Sequence, residues 1–186
     1  MTEKHGLEAF RFRLEAMGGA GFGDVSLTTG ETVNTYGAAI GVGAGYVLPF
    51  KAYVGLRYEH FFGQTSVYPV PLVALIEHHN AASFMGTDLG YELSFYRALI
   101  RPQIGVGAGL LRRSVACQQV SGSFDDLARQ VCAAASGSAN DVAFAIAPGL
   151  LMGVCFSRLY GFTDVRYYLR ENASALGVFG GIGVAL

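Results

Sequence analysis

The sequence predicts an all-β fold, an eight-stranded antiparallel up-and-down transmembrane β-barrel. The first observation is a two-residue alternation. In residues 36–48 the even positions carry apolar or aromatic side chains, whereas four of the six intervening positions are glycine. A soluble sheet alternates too, but its second face is polar and bulky because it meets water. A face of glycine and small residues suits the crowded interior of a narrow barrel whose exterior is lipid.

Composition is the second observation. Of the 186 residues, 52% are hydrophobic and only 15% are charged, with a mean hydropathy of +0.37, whereas average soluble domains are about 25% charged. No run reaches the roughly 18 apolar residues that a membrane helix needs. The net charge of −1 leaves no basic footprint, so we expect no nucleic-acid partner.

The third observation is the rhythm of the connections, which alternate between short turns and long loops. We expect one domain over residues 1–186. An even number of strands places both chain termini at the rim that carries the short turns. Pro69 and Pro71 argue against a central strand in the loop 63–83. The largest loop is 114–140, in which 125–131 has the composition of a short helical turn. The predicted strands are 9–22, 36–48, 52–62, 84–93, 98–113, 141–156, 159–170 and 175–186.

Aromatic residues near the strand ends predict two girdles at the membrane interfaces. One set lies toward the short turns and the other toward the long loops. The predicted members are Phe10, Phe12, Tyr46, Phe50, Tyr53, Phe95, Tyr96, Phe156 and Tyr160 at the first rim, and Phe22, Tyr36, Tyr58, Phe61, Phe62, Phe84, Phe144, Tyr167 and Tyr168 at the second.

The alternating segments, the loop rhythm and the glycine-rich last segment 177–186 resemble those of the small eight-stranded outer-membrane barrels of Gram-negative bacteria, the OmpA/OmpX type. Such proteins usually end in Phe, whereas this chain ends in Leu186. The resemblance implies an outer-membrane location with both termini periplasmic, and contact with lipopolysaccharide and phospholipid. We expect a monomer, and a native signal peptide that is absent from residues 1–6.

Ten charged residues share the parity of the glycines and are therefore predicted to point into the lumen. An isolated charge there would be costly, so we expect them to pair and to plug the barrel, with a gate or proton path as the alternative. They are Arg11, Arg13, Glu15, Arg57, Glu59, Asp88, Glu92, Arg101, Asp164 and Arg166.

Cys117 and Cys132 lie in one polar stretch. A disulfide between them would close a loop of about 15 residues, worth roughly 3 kcal/mol in the chain-entropy model. Two free thiols are the alternative. Cys155 falls inside a strand pattern and is expected to pack as a small apolar residue.

Signals for chemistry are weak. The repeats Ile40–Gly45 and Ile104–Gly109 lack the G-x-G-x-x-G spacing of nucleotide loops, and we expect no cofactor. His78 and His79 are expected to be solvated loop residues, with a weak surface metal site as the alternative. A serine two positions after an outward-facing histidine would suggest a catalytic pair on a lipid-facing strand. His60 has outward parity, but the residue two positions later is Phe62, and the next serine is Ser66.

These observations favour a non-enzymatic outer-membrane barrel that acts as an envelope anchor or scaffold. Loops 63–83 and 114–140 would bind surfaces or partner proteins, and the apolar segment 70–76 fits such a role. The alternative is a lipid-modifying enzyme or a narrow small-solute transporter. A soluble lipocalin-like barrel is a third interpretation, and it requires the apolar set to lie inside.

Overall fold

The computed structural model describes residues 10–26, 32–34, 36–63, 65–70, 74–119, 125–171 and 173–186. Strands make up most of this part of the chain, and none of its helices is long and apolar enough to cross a membrane. The elements are β1 (Phe12–Phe22), β2 (Asp24–Ser26), β3 (Thr32–Asn34), β4 (Ala38–Val47), β5 (Ala52–Phe61), β6 (Thr65–Val70), β7 (Ala74–Tyr91), β8 (Leu93–Phe95), β9 (Ala98–Gln119), α1 (Asp125–Ala135), β10 (Gly137–Phe156), β11 (Leu159–Arg170) and β12 (Ala173–Ala185).

Eight of the strands form a closed antiparallel barrel in the order β1-β4-β5-β7-β9-β10-β11-β12. Closure comes from the pairing of the first and last strands, which runs from Arg13 opposite Ala185 to Phe22 opposite Leu176. Closing the sheet satisfies the backbone groups that an edge strand would leave unpaired. The predicted fold class, an eight-stranded antiparallel up-and-down barrel, is confirmed.

The two faces of the barrel wall have opposite character. Outward side chains are apolar and exposed, as at Leu56 (68%), Met85 (68%) and Ile182 (69%). Inward side chains are buried and many are charged; Arg101 and Asp164 are both 0% exposed. Successive side chains of a strand point to opposite faces, so the two-residue alternation becomes an apolar exterior and a polar interior. This distribution is the inverse of what a lipocalin-like barrel requires.

Tight turns join the strands at one rim. The connections between β8 and β9 and between β10 and β11 each have two residues, 96–97 and 157–158. Lys51, Tyr96 and Ser157 adopt positive φ angles of 68°, 52° and 61°, a region that non-glycine residues rarely visit. These turns fix the short-connection rim.

At the opposite rim the strands are longer than predicted. β7 begins at Ala74 instead of 84, and β6 occupies part of the segment 63–83 that was predicted to be a loop. That prediction is wrong because β6 pairs only with β7 within the described ranges, and an edge strand tolerates a proline that a central strand would not. Short strands β2 and β3 likewise replace the loop expected between β1 and β4.

The loop predicted over 114–140 is also wrong. β9 continues to Gln119, α1 runs to Ala135 and β10 begins at Gly137. The segment 120–124 lies outside the described residues. The other strand ends coincide with prediction or differ by at most three residues, within ordinary boundary uncertainty, except that residue 9 lies outside the described part.

Candidate functional site

Arg57 of β5 lies at the centre of a charged network in the lumen. Its Nε donates a hydrogen bond to Asp88 Oδ2 at 2.8 Å. Its Nη1 lies 2.8 Å from Asp164 Oδ2 and 3.2 Å from Glu59 Oε1. Its Nη2 lies 3.5 Å from Glu15 Oε2. One guanidinium therefore contacts carboxylates from four strands, β1, β5, β7 and β11.

Arg166 of β11 binds Asp88 through two hydrogen bonds. Nη1 donates to Oδ1 at 2.8 Å and Nη2 to Oδ2 at 2.7 Å. Its Nε donates to Asp164 Oδ2 at 2.9 Å. Paired hydrogen bonds between a guanidinium and a carboxylate are stronger and more directional than single ones, so this pair fixes β7 relative to β11 across the lumen.

The network continues toward the short-turn rim through Arg101. Its Nη1 donates to Glu15 Oε1 at 2.8 Å and its Nη2 to Glu92 Oε2 at 2.9 Å. The Tyr53 ring stacks on the guanidinium at 3.8 Å, a cation–π contact. Arg13 completes the series with a 2.5 Å bond from Nη2 to Glu92 Oε1.

The network holds five carboxylates and four guanidinium groups. Three neutral side chains supply further hydrogen bonds to the carboxylates. Each donates to a carboxylate oxygen that would otherwise accept fewer bonds: Tyr160 to Glu15 at 2.8 Å, Tyr168 to Glu59 at 2.5 Å and Gln103 to Asp164 at 3.1 Å. All three share the inward parity, which is the signal that could have identified them from the sequence.

The structure brings together nine of the ten charges expected in the lumen, all at most 4% exposed: Arg13, Glu15, Arg57, Glu59, Asp88, Glu92, Arg101, Asp164 and Arg166. Arg11 is different. It is exposed and precedes β1, which begins at Phe12. Its placement in the lumen was wrong because side-chain alternation predicts a face only within a strand.

An aromatic layer lies between the network and the long-connection rim. The Phe61 ring meets Tyr36, Tyr168 and Phe179 with centroids 5.2, 5.5 and 5.9 Å apart, and Phe84 meets Tyr168 at 5.7 Å. These edge-to-face contacts are favourable. Tyr36, Phe61, Phe84 and Tyr168 therefore fill the lumen, which corrects their assignment to the outer girdle.

Little space remains beside this layer. A cavity of about 20 Å³ is lined by the aromatic layer and by Arg170, which is room for about one water molecule. Arg170 bonds to Asp141 at the mouth, with Nη2 2.6 Å from Oδ2. Tyr53 and Tyr160, also expected in a girdle, are 2% and 1% exposed inside the barrel.

Beyond the barrel stands an extension formed by β6 and the adjoining ends of β7, β9 and β10. β4 and β5 have 10 residues each, whereas β7, β9 and β10 have 18, 22 and 20. The first six residues of β10, 137–142, are exposed on both faces. A disulfide between Cys117 and Cys132 holds α1 against β9, whereas Cys155 is a buried free thiol.

His60 of β5 and His79 of β7 have outward parity, and both bond to a hydroxyl group. His60 Nδ1 lies 2.9 Å from Ser83 Oγ, and His79 Nδ1 lies 2.9 Å from Thr65 Oγ1. His78 and His79 lie within β7, so their assignment to a loop was wrong. No group of three or more candidate metal ligands occurs in the described ranges.

Comparison with known proteins identifies the fold. No family model and no curated protein matches the chain. Solved structures do match. Ail, the attachment invasion locus protein of Yersinia pestis, solved with the heparin analogue sucrose octasulfate, is 11% identical with a TM-score of 0.59, over 95% of this chain and 99% of Ail. The chain has the fold of the small outer-membrane β-barrels.

Two further outer-membrane barrels share this fold. Neisserial surface protein A is 17% identical with a TM-score of 0.53, over 94% of this chain and 97% of that one. A major outer-membrane protein from Thermus thermophilus is 10% identical with a TM-score of 0.59, over 94% and 99%. At these identities the likeness concerns the fold, and the function has to be argued from this barrel's own residues.

Proposed function

We propose that this chain is an outer-membrane anchor that carries an interaction surface for adhesion or partner binding outside the membrane. The apolar outward face supports insertion into lipid, because exposed Leu56, Met85 and Ile182 would be unfavourable in water. The fold shared with outer-membrane proteins supports the same location.

The observation that carries the proposal is the extension. Strands β7, β9 and β10 extend beyond the end of β5. Residues 137–142 of β10, which belong to the extension, are exposed on both faces. Among the residues that the structure describes, β6 pairs only with β7 and residues 137–144 of β10 pair only with β9, so each of these two strands has one unpaired edge. Unpaired strand edges are templates for binding another chain.

The orientation follows from the connections. In small outer-membrane barrels short turns face the periplasm and longer connections face outward. β1 begins and β12 ends at the short-turn rim, where the Phe12 and Leu186 backbones exchange hydrogen bonds of 3.0 Å. Both termini are therefore proposed to be periplasmic and the extension extracellular.

The lumen is proposed to be closed by its charged network and aromatic layer. Arg101, Asp164 and Arg166 are 0% exposed, so these groups leave no aqueous path beside them. The transporter alternative needs such a path. A closed lumen leaves the exterior and the extension as the surfaces available for function.

An adhesion assay with a trimmed barrel tests this function. Replacing residues 64–79 and 113–139 each with a Gly-Asn-Gly turn removes the extension and keeps every charge of the lumen network. Cells that display the full barrel should be retained on heparin-coated, collagen-coated or bare polystyrene surfaces more strongly than cells that display the trimmed barrel. If cells with the full barrel and cells with the trimmed barrel were retained equally on each of the three surfaces, the adhesive role would be contradicted.

Membrane insertion is tested separately with purified protein. A barrel that requires detergent or lipid to fold should keep a compact, faster-migrating form on gels until it is boiled. A monomer that folds and stays soluble without detergent would overturn the membrane location itself.

A further inference from the structure

A hydroxyl–imidazole pair lies on the outward face of the barrel near the long-connection rim. His60 of β5 and Ser83 of β7 are direct partners in the strand register. His60 Nδ1 and Ser83 Oγ are 2.9 Å apart, and both residues are partly buried. The Phe62 ring packs edge-on against the imidazole with centroids 4.8 Å apart, which restrains the ring orientation.

We propose that Ser83 and His60 form a hydrolytic dyad that cleaves the acyl ester of a membrane lipid. A serine within hydrogen-bond reach of an imidazole is the arrangement that activates the hydroxyl as a nucleophile. For His60 to accept the Ser83 proton at Nδ1, the imidazole carries its own proton on Nε2. Within the described ranges no carboxylate bonds to His60, so the pair is a dyad without an acidic third member.

An apolar groove lies next to the dyad on the same outward face. It has a volume of about 630 Å³ and is lined by Leu14, Val42, Ala44, Leu56, Tyr58 and Met85, among others. Tyr58 stands two residues before His60, and Met85 two residues after Ser83. Neither dyad residue lines the groove, but each stands two residues from one that does, so the groove begins beside the dyad and extends along the strands toward the middle of the barrel.

The depth of the dyad fits the ester of a lipid. His60 precedes the last residue of β5, Phe61, and it stands between the exposed aromatic residues Tyr58 and Phe62. Exposed aromatic rings mark the boundary between headgroups and hydrocarbon, which is where the acyl esters of lipids lie. An acyl chain in the groove would place its ester beside Ser83.

The reaction balances with water as the second substrate. Ser83 Oγ attacks the ester carbonyl carbon and passes its proton to His60 Nδ1. The bond to the lipid alcohol then breaks, and the alcohol leaves with that proton. Water attacks the acyl-serine, giving one proton to His60, which returns it to Ser83 Oγ as the free fatty acid departs.

A second hydroxyl–imidazole pair provides a matched control. Thr65 Oγ1 lies 2.9 Å from His79 Nδ1 in the extension, where Glu77 Oε2 is 3.6 Å from His79 Nε2. His79 stands six residues before the groove residue Met85 in β7, whereas Ser83 stands two residues before it, so this second pair is farther from the groove. Removing it should leave lipid hydrolysis unchanged if the groove selects the substrate.

The experiment measures fatty acid released by the purified full chain in two kinds of vesicle, one of phosphatidylethanolamine and phosphatidylglycerol and one that also contains lipopolysaccharide. Wild type should release fatty acid, and the two vesicles distinguish a phospholipid from a lipopolysaccharide substrate. Ser83→Ala and His60→Ala should each lower the rate at least about 100-fold, whereas Thr65→Val and His79→Ala should retain it.

A fluorophosphonate probe supplies a second readout that a purely structural pair would not give. Mass spectrometry should find the adduct on Ser83 of the wild type, and labelling should fall in His60→Ala when gel mobility shows that this variant is folded. A folded wild type that releases no fatty acid from either vesicle, or activity that persists in Ser83→Ala, would overturn the proposal. The trimmed barrel of the adhesion assay keeps both residues, so the two proposals can fail independently.

Discussion

Arg57 is a positive partner shared by four lumen carboxylates, three of which also bond to Arg101 or Arg166. Replacing it with Met would leave Glu15, Glu59, Asp88 and Asp164 near one another with one guanidinium fewer. Removing one partner of a buried ion pair typically costs about 3–5 kcal/mol, because the remaining charge is uncompensated. We expect Arg57→Met to lower the free energy of unfolding by that amount, measured by urea titration of the folded barrel in detergent.

Arg11→Met is the matched control, because Arg11 is exposed at the rim and surface substitutions usually change stability by less than about 0.5 kcal/mol. Equal effects of the two substitutions would show that the lumen network does not stabilise the barrel.

Gly105 of β9 leaves room for the Asp88–Arg166 pair. A Cβ at this position would lie 2.9 Å from Asp88 Oδ1 and 3.1 Å from Arg166 Nη1. We expect Gly105→Ala to destabilise the barrel by about 1–3 kcal/mol through overpacking, measured by the same urea titration. Gly180→Ala is its control, since a Cβ there meets nothing within 4 Å; a similar loss in both would contradict this explanation.

The alternation of side chains along a strand explains which individual residues could be placed in the lumen from the sequence. It placed Arg57 and Asp88 inside because both lie well within strands. It failed for Arg11 because the strand begins one residue later. The His60–Ser83 pair could not be found in this way, because its members are 23 residues apart and only the register between β5 and β7 brings them together.

The disulfide ties α1 to the extension rather than to the barrel wall. Its two Cα atoms are 5.2 Å apart and join residues 15 positions apart in the chain. A closed loop of this length is worth about 3 kcal/mol in the chain-entropy model, which corresponds to roughly a 100-fold change in a local opening equilibrium. We expect Cys117→Ser to accelerate limited proteolysis near α1 by at least about 10-fold.

The barrel itself should be unaffected by that substitution, and its heat-dependent gel mobility should remain. Cys155→Ala removes the buried free thiol and should not change the proteolysis rate near α1. Cleavage at the wild-type rate in Cys117→Ser would show that packing alone retains the helix.

The elements of the extension were difficult to predict for a physical reason. Alternation arises where one face is buried and the other is not. Residues 137–142 of β10 are exposed on both faces, so no burial pattern marks them as a strand. Pro69 argued against β6 only under the assumption of a central strand, and β6 lies at an edge.

At the scale of the whole molecule, the proposed closure of the lumen makes a prediction about conductance. The charges of the network are buried, and the cavity beside the aromatic layer and Arg170 has a volume of about 20 Å³. We expect the purified barrel to give no single-channel conductance above background in planar lipid bilayers. Stable, reproducible channels from the wild type would contradict a closed lumen and favour the transporter alternative.

The whole fold was predictable because its distribution of polarity is the inverse of a soluble barrel's. Eight segments each have one apolar face, and the charges lie on the other face, so parity alone decides which face is inside. Function was less predictable. The extension and the outward dyad depend on strand register and on segments without alternation, which the sequence pattern does not contain.

The lumen network also has a consequence for how the barrel assembles. Its hydrogen bonds join residues as far apart in the chain as Glu15 and Tyr160, which are separated by 145 positions. A one-residue slip of β1, β5, β7, β9 or β11 would turn the lumen charges of that strand toward lipid, and a two-residue slip would mismatch the pairs. The charges therefore select the register of β1 and β11, and the uncharged β12 takes its alignment from its pairing with these two strands.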